Sequence, residues 1–210
     1  MNTSETNRKR TLFLTQFSVL LAIEAIVCFT PLGSIPIGPI VATLMMIPVV
    51  IAAVLLGTRA GALMGFIAGL FSFIVWTFMP PSPIAFVFTP FYSIGAVSGN
   101  FWSLIICFAP RILAGVVTGL SLHIFHPISK NKTSFVYGVS GCLGSLTNTF
   151  LVLGGIFVFF GRDYAGVIGT SYNLLLGVIG MSVLTNGIPE AVISALAAYF
   201  VCRAVKAQHR

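Results

Sequence analysis

The chain predicts an all-α integral membrane protein of six transmembrane helices with both termini in the cytoplasm, and three observations carry that expectation. Hydrophobic residues make up 57% of the sequence and charged residues 7%, against roughly 25% charged in a soluble domain, so too little polar surface exists to cover a water-exposed fold. Apolar stretches run roughly over 11–30, 41–57, 61–79, 100–123, 135–160 and 174–202, each near the length that crosses a hydrocarbon core of ~30 Å. Of the 11 Lys and Arg residues, all but Arg111 and Arg162 fall in alternate gaps. Arg8, Lys9 and Arg10 precede the first stretch, Arg59 sits in the second gap, Lys130 and Lys132 in the fourth, and Arg203, Lys206 and Arg210 follow the last. The positive-inside rule puts that side in the cytoplasm and makes residues 1–210 one membrane domain.

Each element has its own reason. The basic start before 11–30 resembles a signal peptide, but the run is long and has no clear small-x-small cleavage site, so it is the first helix. Ser18 and Ala22 lie one turn apart on it. The outward loop from Pro31 through Ser34 and Pro36 to Pro39 is too rich in proline to continue a helix and too apolar for a solvated linker, so it folds back on the protein. Stretches 41–57 and 61–79 are joined by Leu56 to Gly61, a tight hairpin. Gly57, Gly61, Gly65 and Gly69 recur at a four-residue spacing, as do Gly115 and Gly119 in the fourth stretch. Small faces of this kind let helices approach closely, either within the fold or against another membrane subunit. Between 79 and 100, prolines 80, 81 and 83 lead through Phe86, Phe88, Phe91 and Tyr92 to Asn100 and Trp102. Aromatics at that depth serve as interfacial anchors or as the wall of an outward-facing pocket.

Polar residues inside the apolar stretches are the candidate site. A charge at the bilayer centre costs ~2.5–3.5 kcal/mol on insertion scales and calls for a partner or a function. Glu24, Arg111 and Glu190 are such residues. Counted at about 1.5 Å per residue, Arg111 lies near mid-membrane in the fourth helix, level with Asn148 in the fifth and Asn186 in the sixth; Glu190 lies one turn deeper. Pro110 frees the carbonyl of Ile106, and Pro189 that of Thr185, at the same level. The four side chains can share one polar cavity. Arg111 either pairs with Glu190 or receives a ligand anion, bidentate if that anion is a carboxylate. Glu24 is open to protonation, pairing or contact with a partner.

Other classes fit poorly. The net charge of +7 and pI near 9.6 suggest nucleic acid, yet the basic residues sit at helix ends and form no stripe with interleaved aromatics. Cys28, Cys107, Cys142 and Cys202 are scattered singly, with no spacing for a metal site or disulfide framework. No P-loop motif occurs, so ATP is not bound here through one. A secondary transporter needs related repeats, and only the echo between Leu146–Phe150 and Leu184–Ile188 is present. An intramembrane serine hydrolase is the competing enzyme class, on the strength of Ser140 in Gly138-Val-Ser-Gly141; His123, His126 and His209 give it no well-placed base. Six helices without a motor read as a binding subunit.

At this point the chain resembles the substrate-binding S components of energy-coupling factor (ECF) vitamin transporters. The resemblance rests on Ile47–Ala53, Leu56-Gly57, Gly61-Ala62, Gly65, Gly69-Leu70 and Ser72. It continues through Gly99–Leu104, Pro110–Leu113 and Asn186–Ala191. It implies a bacterial cell-membrane subunit that binds a small water-soluble vitamin at its outer side, through helices four to six under the first outer loop. A membrane scaffold subunit and two ATPases, which use ATP and Mg, would drive uptake; the chain itself needs no cofactor. The family's alanine-spaced docking motif in helix one is matched only by Ser18 and Ala22, and Gly61 and Gly65 offer a second docking face. The segments around Asn100, Trp102, Arg111 and Asn186–Glu190 look most like the pantothenate type. Pantothenate has a carboxylate for Arg111 and hydroxyl and amide groups for Asn148 and Asn186. Trp76, Tyr92 and Trp102 suit a flat ring instead, which keeps hydroxymethylpyrimidine, riboflavin and cobalamin as alternatives.

Overall fold

The structure is a computed structural model that describes residues 3–30, 35–37, 40–42, 44–125, 127 and 133–208. Its long helices are α1 (Thr3–Phe29), α3 (Thr58–Phe78), α4 (Phe101–Phe125) and α5 (Thr133–Val167), with a shorter α2 (Met46–Leu56) after α1. The last stretch divides into α6 (Leu175–Ser182), a π-helical turn (Val183–Gly187) and α7 (Ile188–Gln208). Two small antiparallel hairpins complete the described chain, β1 (Ile35–Ile37) with β2 (Ile40–Ala42) and β3 (Ser93–Ile94) with β4 (Val97–Ser98). Among the described residues, five helical stretches are long and apolar enough to cross a membrane, namely Asn7–Phe29, Thr58–Phe78, Phe101–Phe125, Ser134–Val167 and Tyr172–Val205.

The second stretch departs from its expected bounds of 41–57. Its helix has 11 residues, about 17 Å at 1.5 Å per residue, and so reaches only about half-way through a ~30 Å core. Eight of its side chains, Met46 and Pro48 to Val54, are buried, so α2 is a core helix surrounded by the others. Gly57, with φ of +99°, makes the reversal into α3 in a single residue, a conformation that costs glycine little. The antiparallel pairing of Ala53 with Gly61 places Met46 level with Ala68, in the same buried cluster. The hairpin of β1 and β2 precedes α2 in the chain. Strand β2 lies against the Val183–Gly187 turn, so the first outer loop does fold back onto the bundle. Non-helical backbone at such depth is tolerated where protein or a polar cavity, and not lipid, surrounds it.

Close backbone approach sets the helix register. A side chain at Gly61 would collide with Ala53 and the Gly115 carbonyl, one at Gly65 with the Arg111 carbonyl, and one at Gly119 with Thr58. The expected docking face at Gly61 and Gly65 is therefore corrected: both are buried in the α3–α4 contact, which their missing side chains permit. Gly144 meets Thr118 and Ala114 of α4, and Gly155 meets Ile106. On the other flank Gly141 meets Ser194 and Ala198 of α7, while Gly187 meets Thr149.

Two further expectations shift. The fifth helix continues past 160 to Val167 and spans 35 residues. Arg162 thus lies inside it, its guanidinium 5.9 Å from the Tyr172 ring centre, and not in a gap. The aromatic segment after α3 divides in two. Ile84 to Phe88 are buried in a cluster with Trp76, Phe160 and Tyr164, whereas Phe91 is exposed. Most of that segment is a plug over one end of the bundle, and Phe91 is left as the surface ring.

Candidate functional site

Arg111, Asn148, Asn186 and Glu190 are each no more than 8% exposed, and the glycine contacts set their levels. Gly144 against Thr118 and Gly155 against Ile106 put residues 147–151 of α5 opposite Arg111. Gly187 against Thr149 puts Asn186 beside Asn148, with Glu190 one turn along α7. Helix α2 begins at this level and strand β2 covers the turn that bears Asn186, so the polar layer lies where the short helix gives way to the hairpin. Pro36 is in β1; Ser34 lies outside the described residues.

Arg111 is held by its own helix. Pro110 supplies no amide to the Ile106 carbonyl, and Arg111 Nη1 donates to that carbonyl at 3.1 Å and to the Cys107 carbonyl at 2.8 Å. Nη2 donates to Ser72 Oγ of α3 at 3.2 Å. The guanidinium also lies 5.6 Å from the Phe88 ring centre, within cation–π range. Of its five donors, these bonds use three and leave Nε–H and one Nη2–H among the described residues. Whether Arg111 pairs with Glu190 or receives a ligand anion stays open, and Glu24 of α1 lies within its electrostatic reach. Ser72 and Phe88 escaped sequence reading. Ser72 carried a signal as the polar position three residues after Gly69 on the glycine face; Phe88 stood among too many aromatics to be singled out.

The amides are the second feature. Asn148 Oδ1 and both polar atoms of Asn186 are buried with no hydrogen-bond partner among the described residues. A buried polar group left unsatisfied costs ~1–3 kcal/mol, and such groups pair with ligand, water or protein in working proteins. The π-helical turn explains the exposure of Asn186 to this layer. The amide of Ile188 bonds to the Val183 carbonyl, five residues back, and Pro189 follows, so the local widening coincides with a residue that cannot donate.

Four expected site residues fall elsewhere. Asn100 is a helix cap: its Oδ1 accepts from the Trp102 amide at 2.9 Å and its amide donates to Ser103 Oγ at 3.0 Å. Trp102 is 43% exposed and stacks on Phe159 at 4.0 Å. Tyr92 is half-buried, its carbonyl accepting from the Gly99 amide. Trp76 is buried and packs on Phe88 at 4.7 Å, so it backs the Arg111 platform through another ring. Ser140 is buried with its Oγ unpartnered among the described residues, which gives the hydrolase reading no activated nucleophile. Ser18 and Ala22 lie on the exposed face of α1, opposite the buried line of Leu20, Glu24 and Cys28.

Comparison with known proteins agrees with this architecture. The Pantothenic acid transporter PanT of Lactococcus lactis subsp. cremoris (strain MG1363) is 37% identical over 159 residues, which cover 75% of this chain and 74% of that protein. A family model described as "ECF transporter, substrate-specific component" matches residues 12–202. This multi-pass membrane chain therefore belongs to the family of ECF transporter substrate-specific components.

Proposed function

We propose that the chain is the pantothenate-binding subunit of an ECF uptake transporter. The observation that carries the reading is the single polar layer of Arg111, Asn148 and Asn186, whose spare donors and acceptors have no protein partner among the described residues, in a chain 37% identical to a pantothenic acid transporter. Arg111 takes the ligand carboxylate through its remaining N–H groups. Asn148 and Asn186 take amide and hydroxyl groups, and Glu190 completes the layer from α7. The hairpin of β1 and β2 closes the layer on its outer side. Trp76 is packed behind Phe88 and Trp102 is turned outward on Phe159, so these two rings do not face each other across the layer, which disfavours hydroxymethylpyrimidine, riboflavin and cobalamin.

In this reading α2 and the hairpin together make the sixth crossing, and both termini are cytoplasmic, as the distribution of Lys and Arg supports. A membrane scaffold subunit docks on the exposed Ser18 and Ala22 face of α1, and two ATPases hydrolyse ATP with Mg on its far side. Equilibrium binding of radiolabelled vitamins to the purified full chain tests the proposal. Saturable pantothenate binding that riboflavin, cobalamin and hydroxymethylpyrimidine do not displace supports it; retention of one of those three in place of pantothenate overturns it.

A further inference from the structure

Glu24 is the charged residue that this function leaves without a task. It is 0% exposed, and neither carboxylate oxygen has a hydrogen-bond partner among the described residues. It lies on the buried line of α1 with Leu20 and Cys28. Phe29 of α1 meets Phe71 of α3 at 5.4 Å, and the two helices run in parallel, so Glu24 stands about level with Gly65 and hence with the Arg111 carbonyl. Arg111 is the cation within its reach, yet three of the guanidinium donors go to Ile106, Cys107 and Ser72 and none to Glu24. A structural ion pair would spend those donors on the carboxylate, because a buried charge is costly unless it is both paired and hydrogen-bonded. Here no donor among the described residues reaches the carboxyl oxygens, and their lone pairs stay open. The same condition holds at Asn148 and Asn186 in the same layer.

We infer that Glu24 is a ligand-contacting residue, its carboxylate accepting a hydrogen bond from a neutral N–H or O–H group of the vitamin held at Arg111. The inference rests on the pantothenate reading and extends the site to α1. Pantothenate offers such donors in its amide and its two hydroxyls. With its outer face at Ser18 and Ala22 and its inner face at Glu24, α1 is then the one helix that touches both ligand and scaffold.

The test is a binding cycle on the full chain in lipid nanodiscs, with wild type, Glu24→Ala and Glu24→Gln. Four compounds are measured: pantothenate, the analogue with its amide replaced by an ester, and the two analogues that each lack one hydroxyl. If Glu24 accepts a ligand donor, Glu24→Ala weakens pantothenate at least tenfold, and Glu24→Gln, whose amide oxygen still accepts, restores most of that. The analogue missing the matching donor then binds wild type and Glu24→Ala within about threefold of each other. Equal loss for all four compounds, or no loss with pantothenate, overturns the inference and leaves the substrate assignment standing. Failure of wild type to bind pantothenate overturns the assignment and this inference together. The folded fraction of each variant is read from its unfolding midpoint, and Glu24→Met, of similar length and without an oxygen acceptor, takes the place of the alanine variant if that one does not fold.

Discussion

Arg111 shows how a buried cation is anchored by the carbonyls of its own helix. Proline at 110 strips one helical hydrogen bond from the Ile106 carbonyl, and the next residue returns a donor to it, so side chain and backbone settle each other. The proposed function gives the remaining N–H groups of the guanidinium to the ligand anion. Arg111→Ala is expected to weaken pantothenate binding by ~2–5 kcal/mol, since it removes one partner of a desolvated charge pair. Arg111→Lys should recover only part, because a point charge cannot reproduce the planar fork. Unchanged affinity in both variants, measured by isothermal titration, would make Arg111 a packing residue. Asn100 and Trp102 provide the contrast. Asn100→Ala should lower stability by ~1 kcal/mol, the worth of a helix cap, and leave affinity alone. Arg111, Asn148 and Asn186 were legible in the sequence because depth along an apolar helix is a simple count. Asn100 was misread because a cap and a ligand contact use the same residue type, and only the neighbouring Ser103 separates them.

At the scale of elements, the apolar runs located every long helix, but they could not show that 41–57 opens in strand β2 and is helical only from Met46 to Leu56. Hydropathy does not distinguish a buried eleven-residue helix from a spanning one, and the residues of β2 are as apolar as those of α2. The π-helical turn was equally silent, since Pro189 marks a break without stating its geometry. The glycine faces were visible as a spacing, yet the spacing names no partner, and their occupant turned out to be α4. That assignment has a direct consequence. Gly65→Leu must push against the Arg111 backbone carbonyl, which has no flexible end to yield. Overpacking of this kind costs ~1–3 kcal/mol or more, so the variant should show a lower unfolding midpoint and weakened binding together. Preserved stability with loss only of subunit assembly would return Gly65 to the surface.

For the whole molecule, the division between a fixed core and an exposed first helix decides what the chain can do alone. The packing of α2, α3, α4, α5 and α7 encloses the polar layer, and the proposed function assigns binding to this chain and energy coupling to other subunits. Reconstituted by itself in liposomes, the chain should bind pantothenate without accumulating it against a gradient; sustained accumulation without an ATPase would end the binding-subunit reading. The proposed function makes the exposed Ser18 and Ala22 face of α1 the connection to the rest of the transporter. Close contact between membrane helices depends on the absence of side-chain bulk, and the ring of a tryptophan at 22 would hold a partner helix away by several ångströms. Ala22 faces outward, so the new ring has lipid to occupy and need not disturb the site. Ala22→Trp should therefore keep its pantothenate affinity within about threefold in the isolated chain, while the assembled transporter loses uptake. Loss of binding and stability together, with co-purification of the scaffold subunit intact, would mean that this face of α1 packs inward and that docking takes place elsewhere on the bundle.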